Sequence, residues 1–170
     1  MMGQFRIMET EVLIKPAQAI HLDQMRQLFY DTITTVNKKD YTEDQINAWA
    51  AGYKDIGKWI VKMKEQKFFV AEARNKLLGF ASIAADGCLD YIYIHKDHQR
   101  EGIATKLLQE LEKYVLKSNI EEVWSDVSIT AKPFFQSRGF IISEIYVRQL
   151  KGVEFINTIM RKRMKISIDK

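Results

Sequence analysis

The chain has one cysteine, two prolines and eight glycines in 170 residues. A single thiol supports neither an internal disulfide framework nor a zinc site built on several thiolates. So little proline and glycine excludes a collagen-like or linker-dominated chain, and a composition 46% hydrophobic and 11% aromatic excludes a disordered one. No apolar run approaches the roughly 18 residues of a membrane-spanning helix. The opening segment, Met1 to Arg6, has no apolar stretch of the kind that marks a secretory signal, so the expected setting is cytoplasmic, with no membrane partner. Charge of one sign is scarce as well: 26 Lys and Arg stand against 22 Asp and Glu, a net charge of +4. Part of that excess is the cluster Arg161, Lys162, Arg163 and Lys165. A cluster of that size reads as a solvated strand end, and nucleic acid is not an expected partner, because its footprint is a broad basic face with stacking aromatics.

What the chain does have fits one domain spanning residues 1–170, large enough to bury roughly two-thirds of its unfolded surface. Val12 to Lys15 is a short strand candidate ending at Pro16. Leu22, Met25, Leu28, Phe29, Ile33 and Val36 then recur at helical spacing. Thr42-Glu43-Asp44-Gln45 has the capping-box pattern ahead of Ile46, Trp49 and Ala50, which predicts a second helix, and Ile56 to Met63 extends or repeats it. Lys67 to Ala73 and Leu77 to Ala85 form a hairpin about Arg74-Asn75-Lys76. Leu89 to Ile94 is a central strand with Asp90 its one charge. The cleanest 3.6-residue period runs from Ile103 through Leu107, Leu108 and Leu111 to Val115. Glu122 to Ile129 is a strand, Ala131 to Arg138 a short helix closed by Gly139, and Phe140 to Arg148 and Val153 to Met164 are strands that meet at Gly152. Strands with a strand-helix-strand crossover in their midst imply a mixed α/β (α+β) sheet with helices on its faces.

Chemistry concentrates where the central strand runs into the cleanest helix, from Ile92 to Ala104. The first amides of a helix have no intrahelical acceptor and sit at the positive end of its dipole, so small residues such as Gly102 and Ala104 let an anion approach them closely. His95 and His98 with Cys88 form no recognisable metal-ligand pattern, and no metal is expected. Cys88 has no histidine at a nucleophile's spacing, and no phosphate-binding P-loop, dinucleotide fingerprint or nucleophile elbow occurs.

The run Gln99-Arg100-Glu101-Gly102-Ile103-Ala104 resembles the acetyl-CoA signature of the GNAT (Gcn5-related) N-acetyltransferase superfamily, Q/R-x-x-G-x-G/A. Asp90-Tyr91-Ile92-Tyr93-Ile94 resembles the strand that precedes it there. Ala131 to Phe140 resembles the later A-x-x-F-Y-x-x-x-G-F segment, and Phe29 to Thr32 and Tyr41 to Trp49 are also similar to bacterial members. The resemblance covers about Ala17 to Lys165. It implies a mixed, mostly antiparallel sheet splayed between its fourth and fifth strands. Acetyl-CoA would lie in the gap, its pyrophosphate on Gln99 to Thr105 and its thioester beside Ile92, Tyr93 and Ile94. There a strand bulge frees a backbone N–H to bond the carbonyl. Ser128 and Phe134 complete the implied donor contacts. The implied reaction is direct transfer of acetyl to a primary amine of a small molecule or peptide. Tyr30 and Trp49 lie in the region that walls the acceptor site, and a homodimer is common in the family.

An ammonium must lose a proton before it attacks, and Asp90 is the expected base because it is the only acid inside the strand that borders the thioester. The family's usual acid is the Tyr of the F-Y pair, and here Phe135 stands in its place. Tyr91, Tyr93 and Tyr146 are candidate substitutes, so Asp90 and Tyr91 are the expected catalytic residues. The alternative reading, motivated by Phe135, is a CoA-binding sensor or interaction module without efficient transfer.

Overall fold

The computed structural model describes residues 11–165, and the opening Met1 to Arg6 segment lies outside them. Strand β1 (Leu13–Pro16) leads into helix α1 (Leu22–Thr35), which buries Met25, Leu28, Phe29, Thr32 and Ile33 along one stripe. Helix α2 (Glu43–Ala50) begins with the predicted capping box. The Thr42 hydroxyl accepts from the Gln45 amide at 3.2 Å, and the Gln45 side chain accepts from the Thr42 amide at 2.9 Å. Helix α3 (Ile56–Glu65) is a repeat rather than an extension. A tight turn at Ala51–Lys54 intervenes, and Asp55 caps the new helix through the Lys58 amide at 3.1 Å.

The hairpin of β2 (Lys67–Ala73) and β3 (Lys76–Ile83) turns at Arg74 and Asn75, both at positive φ as a tight hairpin requires. Then come β4 (Leu89–Ile94) and α4 (Ile103–Lys117). Strand β5 (Glu122–Val127) ends short of Ile129 because the Ser128 hydroxyl accepts from the Ala131 amide at 3.1 Å and bends the chain into α5 (Lys132–Ser137). Strands β6 (Ile141–Leu150) and β7 (Val153–Arg163) close the chain as a hairpin. Among the described residues, no helix is long and apolar enough to cross a membrane.

Hydrogen bonding divides the strands into an antiparallel set in the order β1-β2-β3-β4 and another in the order β5-β7-β6. The two touch through one parallel bridge, Cys88 to Trp124, and then separate. Gly87 makes that approach possible. Its φ is +88°, and a Cβ there would lie 2.2 Å from the Glu122 carbonyl oxygen. The Ser125 hydroxyl adds a bond to the Leu89 carbonyl at 2.7 Å. The result is the expected mixed, mostly antiparallel sheet, splayed between its fourth and fifth strands. Alternation along β4 feeds two cores: Ile92 and Ile94 pack on the α4 side, Tyr91 and Tyr93 on the side of α1 to α3.

Candidate functional site: two cavities that meet in the splay

The splay opens a cavity of about 480 Å³ between β4, the start of α4, β5 and α5. Ile92, Tyr93 and Ile94 line it from the strand, and Ser128 and Phe134 from the opposite side. Gln99, Arg100, Gly102, Ile103, Ala104 and Thr105 line it from the loop and helix. Glu101 is the exception among the expected donor contacts: its carboxylate turns to His98 Nδ1 at 2.9 Å.

Local chemistry makes the loop an anion cradle. Gly102 stands directly before α4 at φ +81°, no side chain caps the helix there, and a Cβ on Gly102 would meet nothing within 4 Å. The first amides of α4 are thus left without a capping side chain beside the cavity. Gln99 holds the loop in place. Its side-chain amide donates to the Ile94 carbonyl at 2.8 Å and to the His95 carbonyl at 3.2 Å, while Thr32 ties α1 to that same Ile94 carbonyl at 2.8 Å.

A second cavity, about 680 Å³, lies on the other side of the splay. Aromatic rings form much of its wall, among them Phe29, Tyr41, Trp49, Tyr91 and Phe155. Lys58, Lys62, Arg148 and Lys151 also line it, against Asp55, Asp90 and Asp126. Trp49, Asp90, Tyr93, Asp126 and Ser128 line both cavities and therefore mark where they join. Both volumes fall in the range of small-molecule sites. Trp49 thus faces the expected acceptor side. Tyr30 does not: it packs on Tyr53, ring centroids 4.6 Å apart, and lines neither cavity.

The pairing of β3 with β4 shifts between Ser82 and Ile83, leaving Asp90 as the extra residue. The irregularity therefore falls at Asp90, ahead of the Ile92 to Ile94 stretch where the thioester was expected. Asp90 Oδ2 accepts from Lys62 Nζ of α3 and from the Gln66 side chain, the latter at 2.8 Å. Ser82 extends this network, donating to Gln66 Oε1 at 2.7 Å and accepting from the Tyr91 amide at 3.3 Å.

Tyr91 lines only the second cavity, and burial, aided by the Asp90 charge, pushes its hydroxyl well above the usual tyrosine range. Tyr93 is shifted the same way by burial. Phe135 lines the first cavity but is only 1% exposed, with its ring edge-on to Phe140 at 5.0 Å. Burial, reinforced by Asp90 and Asp86, pushes the Cys88 thiol up to about 12, so it is a thiol and not a thiolate at neutral pH.

Asp126 is not among the expected site residues. On β5, Val123, Ser125 and Val127 are buried while Trp124 and Asp126 alternate with them. In sequence that looks like an ordinary solvent-facing acid. In the fold, Trp124, Asp126 and Ser128 instead line the second cavity. The Tyr146 hydroxyl donates to Asp126 Oδ2 at 2.5 Å. Tyr41, likewise outside the expected set, accepts from the Ile129 amide at 2.8 Å through its hydroxyl and seats the β5–α5 turn.

A sheet split at its fourth and fifth strands, with a helix N-terminus presented to the gap, defines an acetyltransferase of the GNAT class. The acetyltransferase (GNAT) domain family matches residues 37–163. The chain belongs to that family and is an N-acetyltransferase. It is 30% identical over 150 residues to YafP of Escherichia coli K12, described as an uncharacterized N-acetyltransferase, covering 88% of this chain and 95% of that one. Among solved structures, a GCN5-related N-acetyltransferase from Rhodopseudomonas palustris superposes with a TM-score of 0.87 at 25% identity, covering 92% of this chain and 98% of the other. The PaiA N-acetyltransferase of Thermoplasma acidophilum, solved in complex with coenzyme A, shares the fold with a TM-score of 0.72 at 20% identity, over 90% of this chain and 99% of that one.

Proposed function

We propose that the chain, read as one domain over residues 1–170, takes acetyl-CoA as donor and transfers its acetyl group directly to a primary amine of a small molecule or peptide. The observation that carries this reading is the junction of the two cavities at Trp49, Asp90, Tyr93, Asp126 and Ser128. A donor in the first cavity and an acceptor in the second meet there without either passing through the protein. The cradle at Gly102 suits the donor's pyrophosphate by charge and by open space. The Asp90 and Asp126 carboxylates are the groups at the junction able to accept a proton from an incoming ammonium.

The acceptor cavity bears more cations than anions on its walls, with Lys58, Lys62, Arg148 and Lys151 against Asp55, Asp90 and Asp126. An amine that also carries an anionic group therefore fits it better than a polyamine does.

Calorimetric titration with acetyl-CoA and CoA, followed by thiol release across a panel of amines, tests the reading. Micromolar donor binding with amine-dependent release is the expected result. Donor binding with no release from any amine would favour the sensor alternative, and no donor binding would overturn the placement of the donor site.

A further inference from the structure

Two carboxylates stand at the junction, and their surroundings differ. Asp90 is held from α3: Lys62 and Gln66 both donate to its Oδ2, so a cation already compensates its charge. Asp126 has weaker compensation. Its nearest cationic atom, Arg148 Nη1, is 3.9 Å from Oδ2, beyond hydrogen-bond reach. Its Oδ2 accepts the Tyr146 hydroxyl, while Oδ1 is buried and accepts no hydrogen bond from any described residue. A junction carboxylate compensated this weakly has more to gain than Asp90 from a cationic group that enters the cavity.

We propose that Asp126, held in place by Tyr146, is where the acceptor's ammonium group docks and gives up its proton. This rests on the transferase reading above and names the base for it. The ammonium donates an N–H to the Asp126 carboxylate, and that proton passes to it. The nitrogen lone pair so released forms the C–N bond to the thioester carbonyl carbon. The C–S bond breaks, and sulfur departs with its electron pair. The nitrogen's second proton goes to that thiolate, and the Asp126 carboxyl returns its proton to solvent through the open cavity. Acetyl-CoA and R–NH3+ thus give R–NH–acetyl, CoA thiol and one proton.

Tyr146 is a positioning residue. By holding Oδ2 from β6, it fixes the carboxylate where the two cavities join. Burial, with the bond to Asp126 next, pushes its hydroxyl up to about 12, so it donates across the whole working pH range. The groups that face Asp126 are Tyr146 and Arg148 on β6, Tyr41 ahead of α2, Cys88 ahead of β4, and Asp90 and Tyr93 on β4. Both flanking tyrosines, Tyr93 and Cys88 are shifted upward, and arginine is always charged. The three tyrosines, the thiol and the arginine therefore keep one state between pH 5 and 8.

The experiment uses the full chain, acetyl-CoA and the best amine of the panel, with thiol release followed from pH 6 to 10. Asp126→Asn should lower kcat by about a hundredfold or more at pH 7 while leaving the acetyl-CoA Kd within about twofold. Its remaining rate should climb about tenfold per pH unit toward the amine's own pKa, because only amine already neutral in solution can then react. Tyr146→Phe should lower kcat by about tenfold and raise the amine's KM, and a purely structural Tyr146 would lower Tm without changing either. A folded Asp126→Asn protein with wild-type kcat/KM and pH profile overturns the proposal. So does a Tyr146→Phe protein with unchanged kinetics, which decides the matter if Asp126→Asn fails to fold. Wild-type protein that binds donor but releases no thiol with any amine overturns the transferase reading, and this proposal with it.

Discussion

Substituting Gly102 separates the backbone demand of the donor loop from its electrostatics. At φ +81°, any L residue sits in the left-handed region, at a cost of roughly 1–2 kcal/mol. Because a Cβ there meets nothing within 4 Å, no steric cost is added, and Gly102→Ala and Gly102→Glu should pay the same conformational penalty. In a chain of this size, each kcal/mol corresponds to a fall in Tm of about 2–4 °C. The two variants should diverge in donor affinity. A glutamate side chain reaches from this position into the groove, and one charge repelling another at about 6 Å with an effective dielectric near 20 costs ~3 kcal/mol. That corresponds to roughly a hundredfold in Kd. Calorimetric titration with acetyl-CoA, paired with thermal melts of the same samples, reads both quantities. Gly102→Ala should bind within a few-fold of wild type and Gly102→Glu at least about a hundredfold more weakly, with the gap narrowing at high salt. Equal affinities for the two variants, both folded, would refute the assignment of this loop to the pyrophosphate.

The Cys88 thiol, raised from 9.0 to about 12, should hold about a thousandfold less thiolate at pH 8 than an unperturbed cysteine, so iodoacetamide should modify it correspondingly slowly. Labelling at the rate of a free thiol would show that the site is open. Glu72 is held below its usual carboxyl range chiefly by the hydrogen bond from Lys15, with His21 contributing. A lowered pKa stabilises the fold above the unfolded value and ceases to do so as pH falls through the native one. Glu72→Gln should therefore lose stability at pH 7, with the deficit shrinking as pH falls through the native carboxyl's range in urea titrations, and a deficit independent of pH would contradict the network. Phe135→Ala, at a position 1% exposed, should cost about 3–5 kcal/mol of unfolding free energy, and a loss below about 1 kcal/mol would contradict its packed placement.

The donor half of the site was legible because its chemistry is contiguous. Gln99 to Thr105 lie on one loop and one helix start, and backbone amides at a helix N-terminus bind anions whatever surrounds them. Strand β4 was plain as an apolar run with a single charge, and helix α4 because its period repeats over enough residues to fix which face is buried. The separate start of α3 was harder to read. It depends on Asp55 as a cap, and an aspartate in a polar stretch has many other uses.

The acceptor half was not legible, for a different reason. Its walls come from α2, α3, β4, β5 and the β6–β7 hairpin. Lys62 meets Asp90 across 28 residues, and Tyr146 meets Asp126 across 20. Tyr30 and Trp49 looked alike as aromatic residues on amphipathic helices, and only the packing of α1 and α2 turned Trp49 into the junction and Tyr30 onto Tyr53. Asp126 shows the limit most clearly. Its place in the alternation of β5 fixes which face it occupies, but whether that face meets water or a cavity depends on where β4 and the β6–β7 hairpin come to rest. Local periodicity and backbone chemistry thus determined the strands, the helices and the anion cradle. The splay and the long-range pairings decided which carboxylate would face the acceptor.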